Sequence, residues 1–534
     1  MRAKKRKEAG AQARQPAKAP AGQKQKTGLR SRKLALEILL TVERENAYAN
    51  LALAGAFRQN ELAERDRAFV TALVQGVTRH RLSLDESLAQ LSTRPLAQMP
   101  AALKNVLRLG LYQLIFMPNL PPSAVLNTAT ELAKTSGHQG LGKFTNAILR
   151  TFLRQREADA KETDAAGDTT KSAGQGPSRP HLPAQGRRND QAGKAEPPPP
   201  GEAARLSTAY SMPAWIVERW LRDFGSDETI ALLDFSQSTP PLTVRTNQMA
   251  ITSAGLEQIF AREGSTCRRG GLVESCLIIE RPARGSRHKS PNFQGSPINL
   301  PGFAEGLFSV QDQSSAFVSI VTDPKPGEVV VDLCAAPGGK SLHMAEIMEN
   351  RGRIIAVDVS QSRLNLIKDN RSRLELTNIE TVACDGRHFQ LPTGADRVLL
   401  DAPCSGTGVL NRRSDLRYQR QPGDLPQLVE LQRQLLANAA KLVKPGGILV
   451  YSTCSIEAEE NFDNIRWFLQ NCQDFEGDDF AALLPAEIRR QCQAGWQGPA
   501  CKTEVEMNRL HMIQLLPSRH GVSGFFIARL KRRH

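Results

Sequence analysis

An all-helical N-terminal domain, a small α/β module and a C-terminal doubly wound α/β domain are expected of this chain, on three observations. Residues 30 to 155 repeat their apolar side chains every three to four positions, residues 156 to 205 dissolve into Ala, Gly, Pro, Gln and charge, and from residue 326 strand-like runs alternate with helical ones. At 534 residues the chain needs several cores, since one domain holds about 150 residues.

Residues 1 to 33 carry twelve Lys/Arg against Glu8 and so supply eleven of the fifteen net positive charges. Residues 1–29 are assigned to a basic disordered tail that attracts phosphate without base stacking, because no aromatic residue precedes Tyr48. A solvated, idle tail is the equal alternative. The tail lacks the apolar stretch of a secretory signal, and no run of about 18 apolar residues follows, so a cytoplasmic protein without a membrane partner is expected. Nine cysteines include no CxxC pair, and Cys267/Cys276 and Cys492/Cys501 are each separated by eight residues, which favours reduced thiols and no metal site.

In residues 30–155, Leu34, Ile38, Leu39 and Val42 recur at helical spacing, as do Phe69, Leu73, Val74 and Val77. Pro121-Pro122 precede a further helix, with Ser123 as its expected N-cap. Residues 156–205, with Pro197 to Pro200, hold too few large apolar groups to offset ordering entropy and read as a linker. Residues 206–310 combine an amphipathic helix around Trp215, Val217 and Trp220 with strand candidates such as Leu242-Thr243-Val244-Arg245.

In residues 311–534 the expected strands are 328–334, 353–358, 379–384, 397–401 and 447–453, all parallel, with a hairpin at 509–516 and 524–530. Such a sheet of about seven strands resembles the Rossmann-like fold of S-adenosylmethionine-dependent methyltransferases. The first strand leads into Cys334-Ala335-Ala336-Pro337-Gly338-Gly339-Lys340-Ser341 and a helix, a loop whose glycines admit a ligand to backbone amides. A phosphate-binding GxxxxGK[ST] loop would need glycine where Cys334 stands, and Pro337 removes an amide such a cradle uses. A nucleoside cofactor fits better. Asp358 after the second strand can accept ribose hydroxyls, and Asp385 after the third can hold an adenine amine, although either alone is equally a loop cap.

Cys404 in Asp401-Ala402-Pro403-Cys404 and Cys454 in Ser452-Thr453-Cys454-Ser455 each end a strand, where open α/β sheets bind ligands. Carbon 5 of cytosine is a poor nucleophile until a thiolate adds to carbon 6, so cysteine suits its methylation. A buried acid raised by desolvation would donate to ring nitrogen 3, a role that fits Asp401. Amine methylation favours Asn/Asp-Pro-Pro-Tyr/Phe at this strand end, unlike Ala402-Pro403-Cys404. Cys334, Cys384, Cys472 and Cys492 read as small buried hydrophobes.

Cys404 alone would also match DNA cytosine-5 methyltransferases. Asp401 to Gly408 together with Ser452 to Ser455 and Glu459-Glu460-Asn461 resembles RNA 5-methylcytosine methyltransferases. That resemblance implies Cys454 as nucleophile, Cys404 as the product-release residue and Asp401 as stabiliser of the intermediate. It also implies S-adenosyl-L-methionine held by Cys334 to Lys340, Asp358, Asp385 and Asp401. Residues 108–114 and 143–150 resemble the NusB-like RNA-binding domain. Both domains on one chain are similar to the bacterial 16S rRNA cytosine-5 methyltransferases of the RsmB/Sun/Fmu family, which Gln311 to Ser315 and Gly524-Phe525-Phe526 also fit. The implied partner is 16S rRNA or a small-subunit assembly intermediate, met by a monomer. Ser414, Tyr418 and Ser523 stand where that family usually has Pro, Trp and Asp, which places detail of the substrate loop in question. Methylation of tRNA or another RNA, and a non-catalytic rRNA-binding assembly factor, are the alternatives.

Overall fold

The computed structural model describes residues 21–136, 140–165, 201–280, 297–493 and 511–534; residues 1–20, 166–200 and Cys501 lie outside the described residues. The N-terminal domain is helical throughout: Ala21–Arg44, Ala49–Gln59, Glu64–Arg79, Arg81–Leu91, Ala101–Phe116, Pro122–Thr135 and Gly140–Ala165. Its core joins Leu34, Ile38, Leu39, Leu73, Val74 and Val77, the residues whose spacing predicts the helices, to Val106, Leu109 and Leu149. Two corrections follow from local chemistry. The helix after Pro121 starts at Pro122, and its cap is Pro121 with no side-chain bond, so Ser123 is inside the helix rather than its N-cap. Proline at the first helical position is preorganised in φ and has no N–H to leave unsatisfied. Helices Ala21–Arg44 and Gly140–Ala165 also extend into the stretches expected as tail and linker, which their Ala, Lys, Gln and Glu content favours.

The small module is an antiparallel sheet of β1 (Leu242–Thr246), β2 (Thr266–Arg269), β3 (Cys276–Glu280) and β4 (Phe308–Val310), ordered β2-β3-β1-β4. Helix Ser253–Arg262 is capped by the Thr252 side chain. The Trp215/Val217/Trp220 helix, Ala214–Gln237, packs elsewhere. Its Ile216, Val217, Trp220 and Leu233 join Leu410, Leu416, Ile456 and Leu516 of the catalytic domain.

That domain contains β5 (Val329–Leu333), β6 (Arg353–Asp358), β7 (Ile379–Ala383), β8 (Ala395–Asp401), β9 (Val443–Thr453), β10 (Phe475–Gly477), β11 (Met512–Leu515) and β12 (Phe525–Arg532). Strands β5 to β9 are parallel, ordered β9-β8-β5-β6-β7, and β12 adds antiparallel to β9, with β10 and β11 paired to β12. The sheet has eight strands instead of about seven. The extra one, β10, is three residues of Phe-Glu-Gly, too short to show alternation. Val330, Ile354 and Leu399 face one layer of helices while Val331, Val398 and Leu400 face the other, which explains the continuous apolar runs. Among the described residues, no helix is long and apolar enough to cross a membrane.

Candidate active site

The parallel register of β8 and β9 pairs Asp401 with Ser452. The loops that follow therefore leave the carboxyl edge of the sheet side by side, and Cys404 and Cys454 meet with sulfurs 3.4 Å apart. Both thiols are free and half-buried. The hydrogen bond it shares with Cys404 holds Cys454 below the ordinary thiol value, against burial and the charges of Asp401 and Glu460, with help from the Lys340 ammonium. The same bond, then burial and nearby acids, push Cys404 well above that value. Of the two sulfurs, Cys454 is thus the one whose charged form the surroundings favour and Cys404 the one they keep protonated.

A buried polar frame fixes both loops. The Glu460 carboxylate accepts from the Ser405 amide at 2.8 Å, the Ser405 hydroxyl at 2.5 Å and the Gln432 amide nitrogen at 2.9 Å. Gln432 also donates to the Pro403 carbonyl at 2.8 Å, and Arg420 donates to the Cys404 carbonyl at 2.9 Å. The Gly408 amide donates to the Cys454 carbonyl at 3.0 Å, and the Gly524 amide to the Gly408 carbonyl at 2.8 Å. Sequence reasoning missed Gln432 and Arg420. Gln432 had a signal, since it lies among Leu425, Leu435 and Leu436 on the buried face of helix Asp424–Leu442.

Lys340 and Asp401 form an ion pair at 2.6 Å, and the Ser452 hydroxyl donates to the other Asp401 oxygen at 2.7 Å. The expectation of a buried acid governed by desolvation is corrected: the Asp401 side chain is 31% exposed and paired to a cation. Lys340 thereby joins the cysteine cluster as well as the loop.

The loop Cys334 to Gly339 connects β5 to helix Gly339–Ile347, with Gly338 at φ 102° and Cys334 at φ 64°. Cys334 thus takes the left-handed backbone that a phosphate loop reserves for glycine, and burial raises its thiol. Asp358 is buried and accepts the Ala336 amide at 3.2 Å and the Ser360 amide at 2.9 Å, so it braces the loop. Asp385 is held down to about 2 by its hydrogen bonds with Arg387, whose guanidinium lies at 2.6 Å. The donor set fits the expected cofactor: carboxylates Asp358, Asp385 and Asp401 stand at the ends of β6, β7 and β8, suited to ribose hydroxyls, an amine and a cationic sulfonium.

Residues 412–418, expected as a substrate loop, are built largely into the contact with the helical domain. The Asp415 carboxylate accepts the Ala49 amide at 3.2 Å, and the Ser414 hydroxyl donates to Gln75 at 3.3 Å. The buried Arg417 donates to carbonyls of Ser211, Ser236 and Leu410 at 3.1 to 3.3 Å and of Arg79 at 3.4 Å; burial pulls it down to about 10. Tyr418 donates to the Ser211 carbonyl at 3.0 Å. Two of the unusual residues, Ser414 and Tyr418, therefore sit at a domain contact. The third, Ser523, accepts from Arg412 at 3.4 Å, while Asp312 supplies that arginine's ion pair at 2.7 Å.

Behind the loop, Asp332 on β5 is buried, accepts the Ser341 hydroxyl at 2.5 Å and has no partner for its other oxygen among the described residues; burial pushes its carboxyl up to about 7. An acid raised from its unfolded value of 3.8 costs nothing while protonated in both states. Stability falls as pH rises through that value and continues to fall until the folded-state value near 7 is passed. Asp332→Asn is expected to unfold at higher urea than the parent at pH 8, by up to ~4 kcal/mol, with the gap shrinking toward pH 5. Urea midpoints across that range check this; a gap independent of pH would contradict it.

A family model described as 16S rRNA methyltransferase RsmB/F matches residues 319–531, a NusB family model matches 29–154, and a ferredoxin-like domain model of RsmF/B-like methyltransferases matches 212–284. The probable ribosomal RNA small subunit methyltransferase B of Bacillus subtilis is 32% identical over 507 residues, covering 94% of this chain and 98% of that protein. The protein of the same name from Synechocystis is 33% identical over 506 residues, covering 94% and 99%. The crystal structure of PH0851 superposes with a TM-score of 0.67 at 25% identity, covering 95% of this chain and 98% of that one.

Proposed function

The chain belongs to the RsmB/F family of 16S rRNA methyltransferases, and from that membership we propose that it methylates carbon 5 of one cytosine in 16S rRNA through a covalent bond to Cys454. The observation that carries this reading is the thiol pair, 3.4 Å apart, whose mutual hydrogen bond lowers Cys454 and raises Cys404. Family membership implies S-adenosyl-L-methionine, which would lie against Cys334 to Lys340, Asp358, Asp385 and Asp401 and supplies an electrophilic methyl group when bound.

The protein's own residues do the rest. The Cys454 thiolate adds to carbon 6 and its electron pair forms the carbon–sulfur bond, which makes carbon 5 nucleophilic. Negative charge that develops at the ring is met by the Lys340–Asp401 pair at the strand end. After carbon 5 is methylated, a water positioned beside Cys404 takes its proton, the C–H pair forms the carbon 5–carbon 6 double bond, the carbon–sulfur bond breaks and its pair returns to Cys454. Cys404 assists that departure, because its S–H donates to the leaving sulfur and a thiol of lower pKa leaves faster.

Bisulfite sequencing of total RNA from cells lacking this gene tests the substrate. One 16S rRNA cytosine is expected to lose its methylation, with recovery on re-expression. Loss in tRNA with 16S rRNA unchanged would favour the tRNA alternative, and no change in any RNA would favour the non-catalytic one.

A further inference from the structure

The helical domain has an open cleft of about 560 Å³ between helices Pro122–Thr135 and Gly140–Ala165. Leu126 and Leu153 give it an apolar floor, and Ser123, Asn127, Arg150 and Arg154 line it; among the described residues no carboxylate does. The two arginines lie one helical turn apart on the same face. Arg150 donates to Asn146 at 3.3 Å and Arg154 to Thr151 at 3.1 Å, and neither makes an ion pair among the described residues. This contrasts with the interior of the same domain, where Arg108 is bound to Asp85 at 2.6 Å.

Two guanidinium forks without acids, beside hydroxyl and amide groups and over an apolar surface, are what a nucleotide of a single strand requires. The forks suit a phosphate, and the apolar floor suits an unstacked base. A protein partner would have to bring its own acids to the same place, and the cleft's size is that of a small-molecule pocket rather than of a broad interface. We infer that this cleft anchors one nucleotide of a single-stranded rRNA segment flanking the target cytosine. The inference rests on the reading of rRNA as substrate.

The test uses the full chain with two variants, Arg150→Glu/Arg154→Glu and Thr151→Trp. Arg150 and Arg154 are exposed, so their replacement spares the core. Thr151→Trp fills the cleft without changing its charge. Fluorescence anisotropy with a single-stranded oligonucleotide of the 16S target region, over a range of salt, is combined with steady-state methylation. The double variant is expected to bind about tenfold or more weakly, with its salt slope reduced by about 0.7 for the one lost phosphate contact. Thr151→Trp is expected to weaken binding with the slope nearly unchanged, and both variants to raise KM for RNA while kcat stays within about twofold of the parent.

Unchanged RNA affinity in the double variant would overturn the inference, as would a loss confined to the charge variant and equal for duplex RNA. Unchanged RNA affinity with lost retention on small-subunit particles would assign the cleft to a protein and overturn it too. If the parent methylates no rRNA yet both variants lose oligonucleotide affinity, the catalytic reading fails and the cleft stands.

Discussion

Cys404→Ala is expected to abolish multiple turnover, by at least ~1,000-fold, while a protein–RNA adduct that survives denaturation accumulates. The reason is the hydrogen bond between the sulfurs, which holds Cys454 below the ordinary thiol value, so removing Cys404 slows both attack and departure. Departure suffers more, because at that step no substrate binding energy compensates for a poorer leaving group and the proton on carbon 5 must leave at the same time. Cys454→Ala should give neither turnover nor adduct. Labelled RNA on a denaturing gel checks both variants, and an adduct in Cys454→Ala with none in Cys404→Ala would reverse the assignment.

Gly408→Ala is expected to cost about 100-fold in kcat and ~1–3 kcal/mol in stability. A Cβ at Gly408 would lie 2.2 Å from the Gly524 carbonyl oxygen, 2.6 Å from its carbon and 2.8 Å from its Cα. All three are backbone atoms, so no rotamer change relieves the contact. The loops must separate, and the bond from the Gly408 amide to the Cys454 carbonyl moves with them. Catalysis tolerates about 1 Å of such displacement poorly. Gly423→Ala is the control, because a Cβ there meets nothing within 4 Å. Single-turnover kinetics and urea unfolding read both effects; a normal kcat in Gly408→Ala would show that the close approach is not needed.

Much of this arrangement is legible in the sequence because its physics is local. Strands β5, β6, β8 and β9 are apolar runs ended by Leu333, Asp358, Asp401 and Thr453, and parallel strands in one sheet deliver their ends to one edge. Cys404 and Cys454 are therefore placed in one cleft by sequence alone. What stayed hidden depends on partners distant in sequence. The sequence makes Asp401 a desolvated acid on chemical grounds alone, yet Lys340, sixty-one residues earlier, is its partner. Tyr418 counts as substrate-loop detail in the sequence, whereas the carbonyls that bind it and the neighbouring Arg417, those of Ser211 and Arg79, lie in other domains. Chain order groups the Trp220 helix with the small sheet that follows it, whereas its indole donates to Glu457 of the catalytic domain at 3.2 Å. Periodicity showed the apolar face of that helix but not which domain it covers.

The central claim, that Cys454 makes the covalent bond, is tested most directly with substrate RNA carrying 5-fluorocytidine at the target position. Fluorine replaces the proton that elimination removes, so the parent enzyme, given its methyl donor, should be trapped on the RNA in one stoichiometric step. Protease and nuclease digestion followed by mass spectrometry should find the modified nucleotide on Cys454 with Cys404 unmodified. The nucleotide on Cys404, or no adduct from an enzyme that methylates normal RNA, would contradict it.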